Sequence, residues 1–174
     1  RRSYRVSALD LLIRRLMSQR ASLERAASLI TQLPGPALQI GWGDGIAYDH
    51  LHEILRRRDL FVFDKAIAAP ETAAPQPEHR IIGDPSDTLP QAWERWRREA
   101  AFAYLNFPAP ARAAAALAPL LAPLLRPGAI VILESEVELP GWEAVAAPDG
   151  ARDARERHRQ RDIGAGRARN SRPP

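Results

Sequence analysis

The residues of this sequence best suited to chemistry are glycines and carboxylates set at regular intervals. Gly41-Trp42-Gly43-Asp44-Gly45 lies between a short apolar stretch, Ala37-Leu38-Gln39-Ile40, and a helical pattern that starts at Ile46. Glycine at such a junction lets the backbone turn sharply and approach a ligand with no Cβ in the way. A plain tight turn would explain the glycines taken singly. What sharpens the pattern is Asp64, 19 positions after Gly45, at the end of the next apolar run, Leu60-Phe61-Val62-Phe63. An acid there can accept hydrogen bonds from both hydroxyls of a ribose. Gly83-Asp84 closes a third run, Arg80-Ile81-Ile82. Its aspartate reads equally as a turn or helix cap before Pro85 and as an adenine contact. Three such sites along the carboxyl edge of a parallel sheet point to a nucleoside ligand.

The elements that must position these residues follow from periodicity. Ser7-Ala8-Leu9-Asp10 resembles a capping box with Asp in place of Glu or Gln. It opens a helix in which Leu9, Leu12, Ile13, Leu16, Leu23, Ala27 and Ile30 recur, with an interruption expected between Ser18 and Ser22 and a stop at Pro34-Gly35-Pro36. Strand, glycine turn and a helix from Ile46 to Arg57 come next, then the strand ending at Asp64. A loop is expected over 66–78, where Pro70, Pro75 and Pro77 fall, followed by the third strand. Asp87 is the expected cap of a helix from Leu89 to Arg98. A fourth strand is read from Ala100 to Phe107, an Ala/Leu-rich helix from Ala111 to Leu125 and a fifth strand from Gly128 to Leu133. Short apolar strands alternating with helices predict an α/β fold: an open, mainly parallel sheet with helices on both faces, preceded by an N-terminal helix.

Composition sets the outer bounds. A chain of 174 residues with 45% hydrophobic content suits one α/β domain. The absence of cysteine excludes disulfides and thiolate chemistry, and no apolar run approaches the roughly 20 residues of a membrane span. A soluble, cytoplasmic protein is expected. Of the net charge of +4, the stretch 151–174 contributes eight arginines against Asp153, Glu156 and Asp162. We therefore read residues 1–150 as the domain and 151–174 as an Arg-rich, disordered tail. That tail has no interleaved aromatics, so nucleic acid is not an expected partner. His50 and His52 are two apart on a helix and do not face one another, so no metal site is expected. Trp93 and Trp96 share a helix face and are read as packing on the sheet; His79 is read as structural.

A dinucleotide-binding G-x-G-x-x-G would need glycine where Ile46 stands. The spacing G-x-G-x-G instead resembles motif I of class I methyltransferases. Leu124-Leu125-Arg126-Pro127-Gly128 resembles their helix stop before strand five, although Pro and Gly also serve as a plain stop and turn. Gly41 to Gly45 running into Tyr48-Asp49-His50-Leu51, Phe61-Val62-Phe63-Asp64, Gly83-Asp84 with Asp87-Thr88-Leu89-Pro90, and Leu139-Pro140-Gly141-Trp142 resemble a small bacterial family of S-adenosylmethionine-dependent methyltransferases, from about Ser7 to Gly150. The resemblance implies a Rossmann-like sheet of order 3-2-1-4-5. It places Gly41, Gly43 and Gly45 at the methionyl end of the cofactor, Asp64 on the ribose and Asp84 near the adenine, with Trp42, Lys65 and Gly83 as further cofactor-binding candidates beside them. Asn106, at the end of strand four where such enzymes often have an acid, completes the set. Residues 151–174 lack a strand pattern, so the antiparallel closing strands six and seven are expected to be lost or replaced.

Methyl transfer from a sulfonium asks mainly for alignment and exclusion of water, so the absence of a catalytic triad is not an objection. Tyr104, Asn106, Glu134 and Glu136 are the substrate-site candidates, and Glu134, Tyr104 and His50 the candidate bases for a hydroxyl or amine of a small-molecule acceptor. The alternatives are a non-catalytic cofactor-binding or interaction module with a degenerate methyltransferase fold, and a nucleic-acid-associated protein acting through the tail.

Overall fold

A computed structural model describes residues 6–68, 70, 73–106, 111–133, 141–145 and 164–168. The first helix, α1 (Ala8–Leu29), starts at the expected capping box: Ser7 Oγ accepts from the Asp10 amide at 3.1 Å and Asp10 Oδ2 from the Ser7 amide at 2.9 Å. It runs unbroken through Ser18 and Ser22, contrary to the expected interruption. A serine inside a helix costs only about 0.5 kcal/mol, and the burial of Leu23, Ala26 and Ile30 outweighs it. Beyond its end, the Arg58 guanidinium donates to the carbonyls of Ile30 at 3.0 Å, Leu33 at 2.8 Å and Gly35, satisfying groups the helix leaves bare.

Strands β1 (Ala37–Ile40), β2 (Leu60–Asp64), β3 (Arg80–Ile82), β4 (Ala100–Leu105) and β5 (Leu125–Leu133) form a parallel sheet in the order 3-2-1-4-5. Ile40 is in register with Phe63 on one side and Leu105 on the other, which aligns the ends of β1, β2 and β4 at one edge. The two-residue period of the strands divides the core. Leu38, Ile40, Phe61, Phe63, Ala103 and Leu105 face α3 (Pro85–Gln91), α4 (Trp93–Trp96) and α5 (Ala111–Leu121), whereas Ala37, Val62, Phe102 and Tyr104 face α1 and α2 (Ile46–Ile54). Trp96 packs on Phe61 and Phe63 with centroids at 4.4 Å and 5.9 Å, as expected of a sheet-packing residue, and Trp93 Nε1 donates to the Leu120 carbonyl at 3.0 Å.

Two expectations are corrected. The single helix capped by Asp87 is instead α3 capped by Asp84, then a break at Ala92 and the short α4. Pro85 at the first helical position presets its backbone angle, and Asp84 Oδ1 accepts from the Ser86 amide at 3.0 Å, so the cap lies three residues earlier. The closing strands are present. β6 (Trp142–Val145) and β7 (Gly164–Ala168) extend the sheet to the order 3-2-1-4-5-7-6, with β7 antiparallel to both β5 and β6. Gly-Ala-Gly-Arg-Ala has almost no β-propensity; ladder pairing with β5 overrides it. β7 therefore lies beyond the expected boundary at residue 150, within the stretch read as a tail. The rest of 151–174 lies outside the described residues. No described helix is long and apolar enough to cross a membrane.

Candidate functional site

The site is the bend between β1 and α2, at the edge where β1, β2 and β4 end together. Gly41, Gly43 and Gly45 have φ of 96°, 63° and 83°, in the left-handed region that side chains disfavour. Neighbouring strand ends pin the bend. The Gly41 amide donates to the Phe63 carbonyl and the Asn106 amide to the Ile40 carbonyl, both at 2.8 Å. The Trp42 amide donates to Asp64 Oδ2 at 2.6 Å, which puts the half-buried Asp64 carboxylate at the mouth of the bend. Asn106 Nδ2 donates to the Trp42 carbonyl at 3.1 Å, so both main-chain groups of Trp42 are held by site residues. The Trp42 indole is buried, donating to the Ala68 carbonyl at 3.3 Å and lying 5.2 Å from the Tyr48 ring.

The glycines are required for different reasons. A Cβ on Gly45 would stand 2.7 Å from Trp42 Cζ2, so this glycine makes room for the indole below it. A Cβ on exposed Gly43 would stand 3.1 Å from Asn106 Nδ2. Asp44 Oδ1 accepts from the Ile46 amide at 3.0 Å and so supports the start of α2.

At the tip of β3, the Gly83 amide donates to the Asp64 carbonyl at 3.0 Å. Lys65 Nζ lies 2.9 Å from Asp84 Oδ2, while the Ser86 amide and hydroxyl both donate to Asp84 Oδ1. Those donors, with Lys65, hold the Asp84 carboxyl well below the usual carboxylate range, and the same contact raises Lys65. Asp84 thus acts as a helix cap and as the partner of Lys65 across the β2–β3 edge. Gly83 has φ of 148°, and a Cβ there would meet Thr88 Cγ2 at 2.7 Å.

Two residues of the site escaped the sequence reading. Gln39 is fully buried between Val62 and Tyr104 in the strand register; its Nε2 donates to the Gly41 carbonyl at 2.9 Å, and its Oε1 has no partner. A lone amide in an otherwise apolar strand, two residues before the glycines, was the available signal. Gln19 of α1 donates to the buried Tyr104 hydroxyl, which donates to Asn106 Oδ1 at 3.1 Å. A pairing 85 residues apart leaves no local trace. The three side chains form a hydrogen-bonded line from α1 to the glycine bend.

Of the candidate bases, Tyr104 lies inside this line, and His50 sits on α2 with Nε2 3.5 Å from Glu24 Oε1 of α1. Glu134 and Glu136 lie outside the described residues. His52 stacks on Tyr48 at 5.7 Å, and His79 packs edge-on against Phe61 at 4.8 Å. Among the described residues no cluster of His, Cys, Asp or Glu suits a metal ion.

A parallel 3-2-1-4-5 sheet closed by an antiparallel 7-6 pair, with a glycine bend after β1 and an acid ending β2, defines the Rossmann-like methyltransferase class. The sequence matches the profile of the S-adenosyl-L-methionine methyltransferase family over residues 6–158. The structure is similar to that of an S-adenosyl-L-methionine methyl transferase from Silicibacter pomeroyi DSS-3, with a TM-score of 0.82, 31% identity and coverage of 92% of this chain and 98% of that one. It also shares its fold with human methyltransferase-like protein 13 in complex with SAH, with a TM-score of 0.53, 14% identity and coverage of 90% and 82%. A protein of Corynebacterium glutamicum gives a TM-score of 0.53, 16% identity and coverage of 91% and 83%. No curated protein matches the sequence. The chain belongs to the S-adenosyl-L-methionine methyltransferase family. Its cofactor is S-adenosylmethionine, and its methyl acceptor is unidentified.

Proposed function

We propose that the protein is a working enzyme that methylates a small molecule, with the cofactor lying across the ends of β1 and β2. The observation that carries this reading is the Asp64 carboxylate at the mouth of the glycine bend, bonded to the Trp42 amide at 2.6 Å. Two further features fit an S-adenosylmethionine molecule there. Gly43, exposed and without a Cβ, lets main chain approach a ligand, and the buried Gln39 Oε1 beside the bend is a polar atom that the protein itself leaves without a partner.

In this arrangement Gly41, Trp42, Gly43 and Gly45 hold the methionyl portion through main chain, assisted by the positive end of α2. Asp64 and Lys65 border the ribose, and Gly83 and Asp84 flank the adenine edge. Asn106 fixes the bend from the β4 side. When bound, S-adenosylmethionine would supply a methyl group activated by its sulfonium, for transfer to a hydroxyl or amine of the acceptor. The protein's residues contribute alignment and exclusion of water, which is most of what such a displacement requires. The closing strands remove one of the two grounds for a binding-only module; Asn106 in place of an acid is the other.

The test is isothermal calorimetry of S-adenosylmethionine and S-adenosylhomocysteine with the protein, followed by assay of S-adenosylhomocysteine release across a panel of small hydroxyl and amine acceptors. Binding with acceptor-dependent release is expected. Binding with no release across the panel would favour the non-catalytic module, and no binding would end the reading.

A further inference from the structure

Helix α1 runs antiparallel to the parallel strands. Its C-terminal half packs through Leu23, Ala26 and Ile30 in one cluster with Ala37, Phe102 and Ile130, and Gln19 reaches Tyr104, the next-to-last residue of β4. At about 1.5 Å per residue, the turns from Gln19 back to Ala8 carry α1 roughly 16 Å past the carboxyl edge of the sheet. Accordingly, no described residue of α1 before Ser22 is buried.

The flank of α1 that faces α2 is marked by the contact of Glu24 with His50 at 3.5 Å. Met17 and Ile13 lie on that flank two and three turns higher, while Leu16 and Leu9 stand between it and the row that carries Leu12, which continues the sheet-facing side of Leu23 and Ile30 beyond the sheet. These five side chains are 42–66% exposed. Ile46, the first residue of α2 after the glycine bend and one turn before His50, is 62% exposed as well. Scattered apolar residues on a surface need no explanation, but five exposed within three turns of one helix beside a candidate ligand site do.

We propose, resting on the cofactor site above, that this flank and Ile46 form the wall against which the methyl acceptor lies. The acceptor is then an amphipathic small molecule, an apolar body carrying the hydroxyl or amine that receives the methyl group. Continuity with the cofactor site selects this occupant. The exposed turns of α1 begin where the Gln19–Tyr104–Asn106 line leads to the glycine bend, and that line provides the polar surroundings suited to the reacting end. A second copy seated there would close the entry to the site.

The test uses 4-alkylphenols of increasing chain length, titrated into the full chain saturated with S-adenosylhomocysteine. Wild-type affinity is expected to rise roughly threefold per added methylene. That gain is expected to flatten in Leu12→Ser/Leu16→Ser and, on the separate α2 wall, in Ile46→Ser, with S-adenosylhomocysteine binding unchanged in both. No gain with chain length, or the same gain in all three proteins, would overturn the proposal. So would light scattering that finds a wild-type dimer and a Leu12→Ser/Leu16→Ser monomer, which would assign the flank to self-association. Failure of the wild type to bind S-adenosylhomocysteine would overturn the cofactor site itself, and this wall with it.

Discussion

The Trp42 amide donates to Asp64 Oδ2 at 2.6 Å, so the carboxylate that ends β2 braces the bend that follows β1. Asp64→Ala is expected to weaken S-adenosylhomocysteine binding by about 1–3 kcal/mol, because it removes a charged acceptor and leaves a partly buried amide unpaired. Asp64→Asn keeps an acceptor for that amide and should fall between. Calorimetry of the three proteins measures this, and equal affinities would remove Asp64 from the site.

Asn106 donates to the Trp42 carbonyl at 3.1 Å. Asn106→Asp, which restores the acid often found at this position in related enzymes, would set a carboxylate oxygen against that carbonyl. It is expected to weaken S-adenosylhomocysteine binding more than Asn106→Ala does, by about 1 kcal/mol or more. The reverse order would show that the acid is better suited and that Asn106 does not hold the bend.

Gly45 and Gly43 should separate folding from binding. Gly45→Ala drives a methyl group into the Trp42 ring and is expected to cost about 2–4 kcal/mol of stability, read as a fall in melting temperature. Gly43→Ala meets only the Asn106 amide, so about 1 kcal/mol of stability is expected, with the larger loss in cofactor affinity. Equal melting temperatures for the two variants would contradict this division.

Asp84 is ionised well below the ordinary carboxylate range because Ser86 and Lys65 stabilise its charge. A group whose folded-state value is depressed contributes stability above its unfolded value and loses it as pH falls through the folded one. The melting-temperature gap between wild type and Asp84→Asn should therefore be constant from pH 7 down to about 5, and narrow only below about pH 4. A gap that instead shrank between pH 7 and 6 would point to a different titrating group. Salt should also reduce it, since Lys65 is exposed.

The fold was legible wherever burial and period coincided. Leu60-Phe61-Val62-Phe63 and Arg80-Ile81-Ile82 are strands at their expected places, and Asp64 and Asp84 stand at the ends foreseen for them. The helix over Trp93 and Trp96 was misjudged because the stronger start signal was Asp84 before Pro85, whose proline presets the first turn. Gly164–Ala168 was illegible for a physical reason. A strand whose place is set by main-chain pairing with β5 needs neither alternation nor branched side chains. In the candidate site, the spacing of the glycines and Asp64 was enough to anticipate that they meet at neighbouring strand ends. The Gln19–Tyr104 contact depends on how α1 crosses β4, which no local pattern encodes.

β7 also guards the flank of the molecule. Ile130 to Leu133 of β5 are buried and pair along their outer side with Arg167 to Gly164. A chain cut short of Gly164 would leave that row of amides and carbonyls bare beside an apolar surface, a ready template for another strand. The low-propensity segment near the C-terminus thereby acts as a cover that keeps the sheet from growing into a neighbouring molecule.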